Sequence, residues 1–306
     1  MASHSIPATS ELLVRTRQAA GSAVLSDYWT ITKPDVNFLI ALTTAASFAI
    51  AASPSVSGFP WVGLLHTVVG TIMVASGAAT LNQWIERRFD ARMRRTARRP
   101  VAAGRIEPNH AFRFGMTLSL TGAAYLAVNS GVLPSLLASV TLLSYLLVYT
   151  PLKRISPLCT AVGAIPGALP PLIGWAAARG HLDLEALVLF AIVFLWQFPH
   201  FMAIAWMYRD DYDRAGYVVL PRGHARVSFV KWQTLLALLA LVVVSLLPVV
   251  MDHAGPVYRL GAFCLDGAFV YYGGQFAFHR SGSSARRLLL ASILYLPSLL
   301  LLLTFA

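Results

Sequence analysis

Residues 60–100 read PWVGLLHTVVGTIMVASGAATLNQWIERRFDARMRRTARRP, an apolar run followed directly by a polar, arginine-rich segment. The apolar part is long enough to cross a bilayer as a helix. Beyond it, Asn82, Glu86 and Asp90 stand four residues apart, and each step of four residues turns a helix only about 40° past a full turn. The pattern therefore predicts a membrane-spanning helix that continues past the bilayer with these three side chains on one face.

The three side chains of this face carry oxygen atoms of the kind that Mg²⁺ prefers, and Mg²⁺ in proteins usually binds phosphate as well. Eight arginines lie between Arg87 and Arg105 inclusive, and guanidinium groups also bind phosphate. We therefore interpret the segment as part of a diphosphate site at a membrane surface, with Asn82, Glu86 and Asp90 as metal ligands.

The composition is typical of a polytopic membrane protein. Of 306 residues, 57% are hydrophobic and 12% charged, whereas a soluble protein carries about 25% charged residues. We expect a polar cytoplasmic extension over residues 1–34 and a single all-α transmembrane domain over 35–306, with about nine helices around a central cavity. Nine apolar stretches have a suitable length, at roughly 36–53, 60–82, 112–129, 132–150, 158–178, 186–207, 229–251, 256–278 and 286–306.

Three of these stretches have further expected features. The second and the sixth are expected to continue past the bilayer as helix. The fifth contains Pro166, Pro170 and Pro171, and we expect it to be kinked or broken. Irregular backbone at this depth is tolerated only where protein or a cavity surrounds it, which is the reason for expecting a central cavity.

The distribution of basic residues predicts the orientation in the membrane. If the nine stretches span, 22 of the 24 Lys and Arg lie on one side, and the other side holds only Arg179 and Arg259. By the positive-inside rule the N-terminus is cytoplasmic and the C-terminus lies on the opposite side of the cell's inner membrane. The net charge of +11 mostly reflects this asymmetry, so we exclude nucleic-acid binding. Cys159 and Cys264 fall in apolar runs and indicate neither a disulfide framework nor a metal site.

A second acidic cluster follows the sixth stretch, four spans after the first. It contains Asp210, Asp211 and Asp213, and on a helix the first and last of these can converge. Two acidic clusters that face one another can each hold a Mg²⁺, and two metal ions can clamp a diphosphate. We expect all three aspartates to contribute to the metal site, and the spacing leaves open which of them binds. The offset of four spans also suggests an internal duplication of four-helix units.

A diphosphate at a membrane surface with an apolar remainder describes a polyprenyl diphosphate. Ionisation of an allylic diphosphate gives a carbocation, which must be kept from bulk water until the acceptor reaches it. A cavity between membrane-spanning helices meets this requirement. The sequence thus favours a prenyl-transfer site.

The chain resembles the UbiA-type intramembrane prenyltransferases from about Thr32 onward. The element Arg95-Thr-x-x-Arg99-Pro and the element Trp196-Gln-x-Pro-His200 resemble in particular the branch of the family that farnesylates haem. The order Asp211-Tyr212 also resembles the family pattern and makes Asp211 the first choice among the three aspartates. The segments that carry the resemblance are 32–39, 82–100, 149–154, 163–175, 196–201, 208–216 and 220–221.

The resemblance implies a reaction of farnesyl diphosphate with haem b that gives haem O and diphosphate for haem–copper oxidases. It implies two Mg²⁺ ions that bridge the diphosphate, with haem b as a substrate and not as a cofactor. It also implies a haem A synthase or an oxidase assembly factor as a partner. The alternative within the family is an aromatic quinone precursor as acceptor. A transporter is a weaker alternative, because transporters place their charges near the membrane midplane.

His200 lies inside the sixth stretch, eleven residues before Asp211. On a continuous helix the two side chains face the same way, with His200 about 16 Å deeper. An ionisable residue in a membrane span is a functional candidate. His200 is therefore expected to act either as a ligand of haem iron or as the base for a water molecule, and the sequence leaves both roles open.

The basic residues near the motifs are candidates for anion binding. Arg95 and Arg99 are four apart and are expected to hold a phosphate or the haem propionates jointly. Lys153 and Arg154 follow the fourth stretch on the same side and are expected to reach the diphosphate. Catalytic roles are assigned to His200, Asp211 and Lys153, and substrate binding is assigned to Arg95, Arg99, Arg154, Tyr212 and His200.

Overall fold

A computed structural model of the chain describes residues 23–52, 58–251 and 254–305, and the regular structure of these ranges is helical. Residues 23–31 form a short helix, α1. It is followed by α2 (Pro34–Ala51), α3 (Trp61–Asp90), α4 (Pro108–Asn129), α5 (Val132–Leu143), α6 (Thr150–Leu152), α7 (Cys159–Arg179), α8 (Leu184–Met207), α9 (Arg209–Ala215), α10 (Ala225–Ser245), α11 (Leu247–Val250), α12 (Pro256–His279) and α13 (Gly282–Thr304). A π-helical turn, Ser144–Tyr149, joins α5 to α6. Most of the predicted N-terminal extension lies outside the described residues.

Each predicted apolar stretch coincides with a long helix or with a nearly continuous helical run. Within the described residues, seven of these are long and apolar enough to span a membrane: α2, α3, α5 with α6, α7, α8, α10 with α11, and α13. α4 and α12 are long enough but less apolar, because they carry polar residues such as Arg113 and Asp266. The all-α polytopic fold is confirmed, and the number of nine spans stays a prediction.

α7 is an unbroken helix although it contains Pro166, Pro170 and Pro171. The expected break is therefore wrong, and the alternative, a kink, stays a prediction. α2 packs against this helix, and two of its hydroxyls supply donors. Thr44 Oγ1 donates to the carbonyl of Pro170 at 3.3 Å, and Ser47 Oγ donates to that of Pro171 at 2.6 Å. Polar contacts of this kind between helices stabilise packing in membranes.

The second and sixth spans end differently. α3 runs to Asp90 without interruption, which confirms the predicted continuation. α8 ends at Met207, because Tyr208 leaves the helical conformation with φ −110° and ψ 19°, and the separate helix α9 follows. The prediction of one continuous helix through the second acidic cluster is therefore wrong.

The packing of the helices repeats after four of the predicted stretches. α3, in the second predicted stretch, contacts α7, in the fifth, just as α8, in the sixth, contacts α13, in the ninth. α3 also packs closely on α4, where a side chain at Gly77 would lie 2.7 Å from the carbonyl oxygen of Gly115. The ends of α2, α3, α6 and α8 that carry the sequence motifs meet at one end of the bundle, which we call the motif end.

Two grooves open on the bundle outside the motif end. One of 420 Å³ lies between α8 and α10 and has aromatic walls that include Phe198 and Trp232. The other, of 340 Å³, is lined by the ends of α7 and α13 and includes Arg179 and Thr304. Neither is lined by the acidic motifs, so the central cavity stays a prediction.

Candidate functional site

The last two turns of α3 form one wall of the candidate site. Asn82, Glu86 and Asp90 are 1%, 3% and 0% exposed. They share one face, since Asn82 Nδ2 donates to Glu86 Oε2 at 3.0 Å, one helical turn away. The face predicted from the four-residue spacing is thus present, and it is buried inside the protein at the motif end.

Each of these three side chains is bound by a cationic side chain from elsewhere in the chain. Lys153 Nζ donates to both oxygens of Glu86, at 2.9 and 3.1 Å. Arg99 contacts both oxygens of Asp90 at 2.8 Å. These contacts offset the cost of burying two carboxylates side by side. They also place positive charge where a diphosphate would meet the face.

Lys33 supplies the third cation, and nothing local in the sequence identifies it as a site residue. It stands between α1 and α2 in the left-handed conformation, with φ 55°, and its Nζ donates to Asn82 Oδ1 at 3.1 Å. Burial lowers the pKa of Lys33 to about 7, and the charges of Arg99 and Lys153 add to this effect. Its signal in the sequence is its place directly before Pro34, within segment 32–39, which is one of those that carry the resemblance.

Lys153 behaves in the opposite way. Its burial opposes the charged form, but Tyr149 and the Glu86 carboxylate outweigh that effect and hold the pKa of Lys153 well above its usual range. The ammonium also lies 4.6 Å from the centre of the Tyr149 ring. Lys153 is therefore a fixed positive charge, whereas Lys33 gains or loses its proton near neutral pH.

A phenol completes the set of donors around Glu86. Tyr217, in the segment between α9 and α10, donates its hydroxyl to Glu86 Oε1 at 2.9 Å. Burial and the neighbouring Glu86 carboxylate raise the pKa of Tyr217, so the hydroxyl keeps its proton and acts as a donor. No pattern in the sequence points to Tyr217, because its partner lies 131 positions away.

The aspartates of the second acidic cluster point to different partners. Asp211 accepts from the backbone N–H of Arg95 at 3.3 Å, which connects it to the segment after α3. Asp210 pairs with Arg209, and Asp213 pairs with Arg226. The expected convergence of Asp210 and Asp213 is therefore not present. Among the described residues no three Asp, Glu, His or Cys side chains form a cluster that could hold a metal ion by themselves.

Arg95 and Arg99 do not act as the pair that their spacing predicts. The segment after Asp90 forms turns and not a helix, so a separation of four residues does not place two side chains on one face. Arg99 binds Asp90, while Arg95 Nη2 lies 3.2 Å from the hydroxyl of Tyr212 and its guanidinium lies over the Tyr208 ring. The two arginines thus serve the two acidic motifs separately.

Arg154 is a cation with unused donors. Its guanidinium carbon lies 4.0 Å from the centre of the Phe89 ring. Its Nε is one of two buried side-chain nitrogen or oxygen atoms, among the residues that the structure describes, without a hydrogen-bond partner. The other is Gln83 Oε1. A buried donor without a partner is costly, and an anionic substrate group would satisfy it.

His200 faces α13. Its Nδ1 lies 2.8 Å from Ser292 Oγ, and its ring stacks on Trp196 at 4.8 Å. Because the Ser292 hydroxyl donates to the carbonyl of Leu289, it accepts from His200, so the proton of the imidazole is on Nδ1 and Nε2 keeps its lone pair. The expectation that His200 faces the same way as Asp211 depended on a continuous helix, and the break at Tyr208 removes that basis.

The carboxylate of Asp266 takes part in hydrogen bonds between helices. The carboxylate accepts from the hydroxyls of Ser245 at 2.7 Å and Tyr295 at 2.6 Å, which lie on α10 and α13. Tyr258 donates to the carbonyl of Ser245 at 2.7 Å and extends the network. The contacts join three helices away from the acidic motifs.

Comparisons with known proteins point to one family. The sequence profile of the UbiA prenyltransferase family matches residues 40–298. The chain is 43% identical to a protein named protoheme IX farnesyltransferase from Solibacter usitatus, over 89% of the chain and 96% of the relative. It is 38% identical to the mitochondrial protoheme IX farnesyltransferase of Homo sapiens, over 89% of the chain and 60% of that longer protein.

Solved structures of low sequence identity share the fold. A digeranylgeranylglyceryl phosphate synthase matches with a TM-score of 0.73 and 16% identity, over 92% of the chain and 98% of the other protein. A UbiA homologue from Archaeoglobus fulgidus bound to GPP and Mg²⁺ matches with a TM-score of 0.62 and 13% identity, over 92% and 100%.

Proposed function

Because the chain belongs to the UbiA prenyltransferase family, we propose that it transfers the farnesyl group of farnesyl diphosphate to a vinyl group of haem b. The carbon–oxygen bond of the diphosphate breaks, and the farnesyl carbon bonds to the terminal vinyl carbon. Water adds to the resulting cation and loses a proton, so the products are haem O and diphosphate. One observation carries the proposal: relatives named protoheme IX farnesyltransferase match nearly the whole chain.

The donor set of α3 fits Mg²⁺. Asn82, Glu86 and Asp90 offer an amide oxygen and two carboxylates, and Mg²⁺ typically takes one or two protein carboxylates together with substrate phosphates and water. This is compatible with the described residues, in which no three Asp, Glu, His or Cys side chains form a cluster. A UbiA homologue was solved with GPP and Mg²⁺. We assign Asn82, Glu86, Asp90 and Asp211 as ligands of two Mg²⁺ ions, which when bound would stabilise the charge of the departing diphosphate.

The three cations around the α3 face serve the diphosphate. Lys153 and Arg99 neutralise Glu86 and Asp90, and both would face the negative charge that builds up as the carbon–oxygen bond breaks. Lys33 adds a charge that depends on pH. Fixed positive groups in a water-poor site stabilise developing charge without reorganisation.

The second set of cations is assigned to the acceptor. Arg154 has a buried, unused donor in its Nε, and Arg95 with Tyr212 lies beside Asp211. These groups would bind the two propionates of haem b at the motif end. His200 keeps an unprotonated Nε2, which suits either a ligand of the haem iron or a base for the added water.

The proposed orientation of the protein in the membrane follows from the distribution of its basic residues. The motif end holds the arginine-rich segments, so we place it and the N-terminus on the cytoplasmic side of the cell's inner membrane, with the C-terminus on the opposite side. A haem A synthase or an oxidase assembly factor would receive the product.

The reaction is tested with membranes that contain the protein. They are incubated with haem b, farnesyl diphosphate and Mg²⁺, and the extracted haems are analysed by mass spectrometry. The expected result is a mass gain of one farnesyl group plus water, absent with an Asn82→Ala variant. A parallel incubation with 4-hydroxybenzoate tests the aromatic acceptor. Prenylation of that acceptor with no change in haem would contradict the proposal.

A further inference from the structure

The segment Gly216–Pro221, which joins α9 to α10 and is here named the strap, connects three parts of the site. Gly216 takes φ 81°, a left-handed conformation that reverses the chain after α9. Tyr217 N–H then donates to the carbonyl of Tyr212 at 2.9 Å, and Val218 N–H donates to that of Lys153 at 2.7 Å. The strap is therefore bound both to α9, with the second acidic motif, and to the turn that carries Lys153.

The side chain of Tyr217 extends this connection to α3. It is 3% exposed, and its ring packs between Phe89 and Tyr212, with centroids 5.5 and 6.1 Å away. Its hydroxyl donates to Glu86 Oε1 at 2.9 Å. The ring is held from two sides, so the position of the hydroxyl is fixed relative to α3 and α9 together.

The bond to Glu86 restricts the orientation of that carboxylate. Lys153 contacts both oxygens of Glu86 and would permit the plane of the carboxylate to turn, and the terminal torsion of a glutamate is intrinsically broad. Tyr217 on Oε1 and Asn82 on Oε2 bind one oxygen each. Together with Lys153 they fill the four lone-pair sites of the carboxylate, so a cation bound at Glu86 would take the positions that Lys153 occupies, while Tyr217 and Asn82 hold the plane of the carboxylate.

We propose that Tyr217 is a positioning residue that sets the orientation of the Glu86 carboxylate toward a divalent cation bound with diphosphate. It acts through Glu86 and touches neither substrate. The inference rests on the proposed function in one respect, namely that the site binds a divalent cation together with diphosphate. It adds a link between the two acidic motifs that the motifs themselves do not contain.

The test measures metal binding and does not depend on turnover. Purified protein is titrated with Mn²⁺ in the presence of inorganic diphosphate, and free Mn²⁺ is followed by electron paramagnetic resonance. Tyr217→Phe keeps the ring and removes the donor, and we expect the apparent Kd for Mn²⁺ to rise about tenfold, the effect of losing one hydrogen bond to a charged group. Tyr258→Phe, which removes another buried tyrosine hydroxyl, is the matched control and should bind Mn²⁺ like the wild type.

A double-mutant cycle distinguishes positioning from a general effect on the fold. If Tyr217 acts through Glu86, Tyr217→Phe should change Mn²⁺ affinity in the wild type but not in a Glu86→Gln background. An affinity within twofold of wild type for Tyr217→Phe, or equal effects in both backgrounds, would overturn the proposal. If Tyr217→Phe does not fold, a fluorotyrosine at position 217 keeps ring and hydroxyl and changes donor strength only; an unchanged affinity would then overturn it.

The proposed haem farnesylation and the proposed role of Tyr217 can be rejected independently of each other. If Tyr217→Phe left the Kd for Mn²⁺ unchanged while the protein farnesylated haem normally, the role of Tyr217 would be rejected and the proposed reaction would stand. If Tyr217→Phe raised the Kd for Mn²⁺ as expected but no farnesylated haem formed, haem b would be rejected as the acceptor and the role of Tyr217 would stand.

Discussion

Lys153 and Glu86 lie 67 positions apart in the chain, and Lys153 Nζ contacts both carboxylate oxygens of Glu86 within 3.1 Å. The contact joins the end of the fourth span to the end of the second. It combines a stabilising ion pair with a group to which a catalytic role is assigned.

Replacing Lys153 with Met should lower both stability and activity. The variant leaves Glu86 buried without its cation, which costs about 3 kcal/mol of unfolding free energy. Thermal unfolding in detergent would measure the loss, and haem product would measure turnover. Lys231→Met is the matched control, since the Lys231 ammonium lies over the Trp232 and Phe278 rings. Equal stability of the two variants would contradict the assignment.

The aspartates of the second motif should differ in importance. Asp211 contacts the backbone of Arg95, whereas the Asp210 side chain is 79% exposed and pairs only weakly with Arg209 at 3.6 Å. We expect Asp211→Asn to reduce kcat/KM at least about tenfold more than Asp210→Asn, as for loss of a group bound to the transition state. Comparable losses in the two variants would show that α9 is turned differently in the working enzyme.

The affinity for diphosphate should fall as pH rises through neutrality. Burial lowers the pKa of Lys33 to about 7, so below that pH the side chain is a cation and above it the charge is lost. Lys33→Arg keeps its charge at all accessible pH values and should extend tight binding to higher pH. Calorimetric titration with inorganic diphosphate between about pH 6 and 9 covers this transition. An identical pH profile for the wild type and Lys33→Arg would exclude Lys33 as the titrating group.

His200 should matter for haem more than for diphosphate. His200→Ala removes the free Nε2, and we expect weaker haem binding and low turnover with an unchanged affinity for inorganic diphosphate. Ser292→Ala removes only the partner of Nδ1 and should have a smaller effect, because the imidazole stays in place on Trp196. Absorption titration with haem b measures the haem affinity of both variants. Normal turnover in His200→Ala would show that the assigned role is wrong.

Local periodicity was sufficient to predict the α3 face. Asn82, Glu86 and Asp90 belong to one regular helix, so their relative positions depend on helix geometry alone. The acidic motifs and the apolar spans are likewise local features. This is why the fold class and the first half of the candidate site can be derived from the residues.

The remaining site residues depend on contacts that no local pattern encodes. Helix geometry does not apply after Asp90, where the chain forms turns, or across Tyr208, where α8 ends. The spacing arguments for Arg95 with Arg99 and for the direction of His200 therefore do not apply, and both interpretations stay predictions. Lys33 and Tyr217 reach α3 from 49 and 131 positions away, and their position depends on how the bundle closes.

The network around Asp266 has a consequence for biogenesis. α12 is not apolar enough to count as a span by itself, and within the described part of the chain its Asp266 accepts hydrogen bonds from Ser245 on α10 and Tyr295 on α13. A lone carboxylate in lipid is expensive, so α12 gains its place in the bilayer from hydroxyls on helices made before and after it. We expect these three helices to leave the insertion machinery as a group, since Tyr295 must be synthesised before Asp266 has both of its partners.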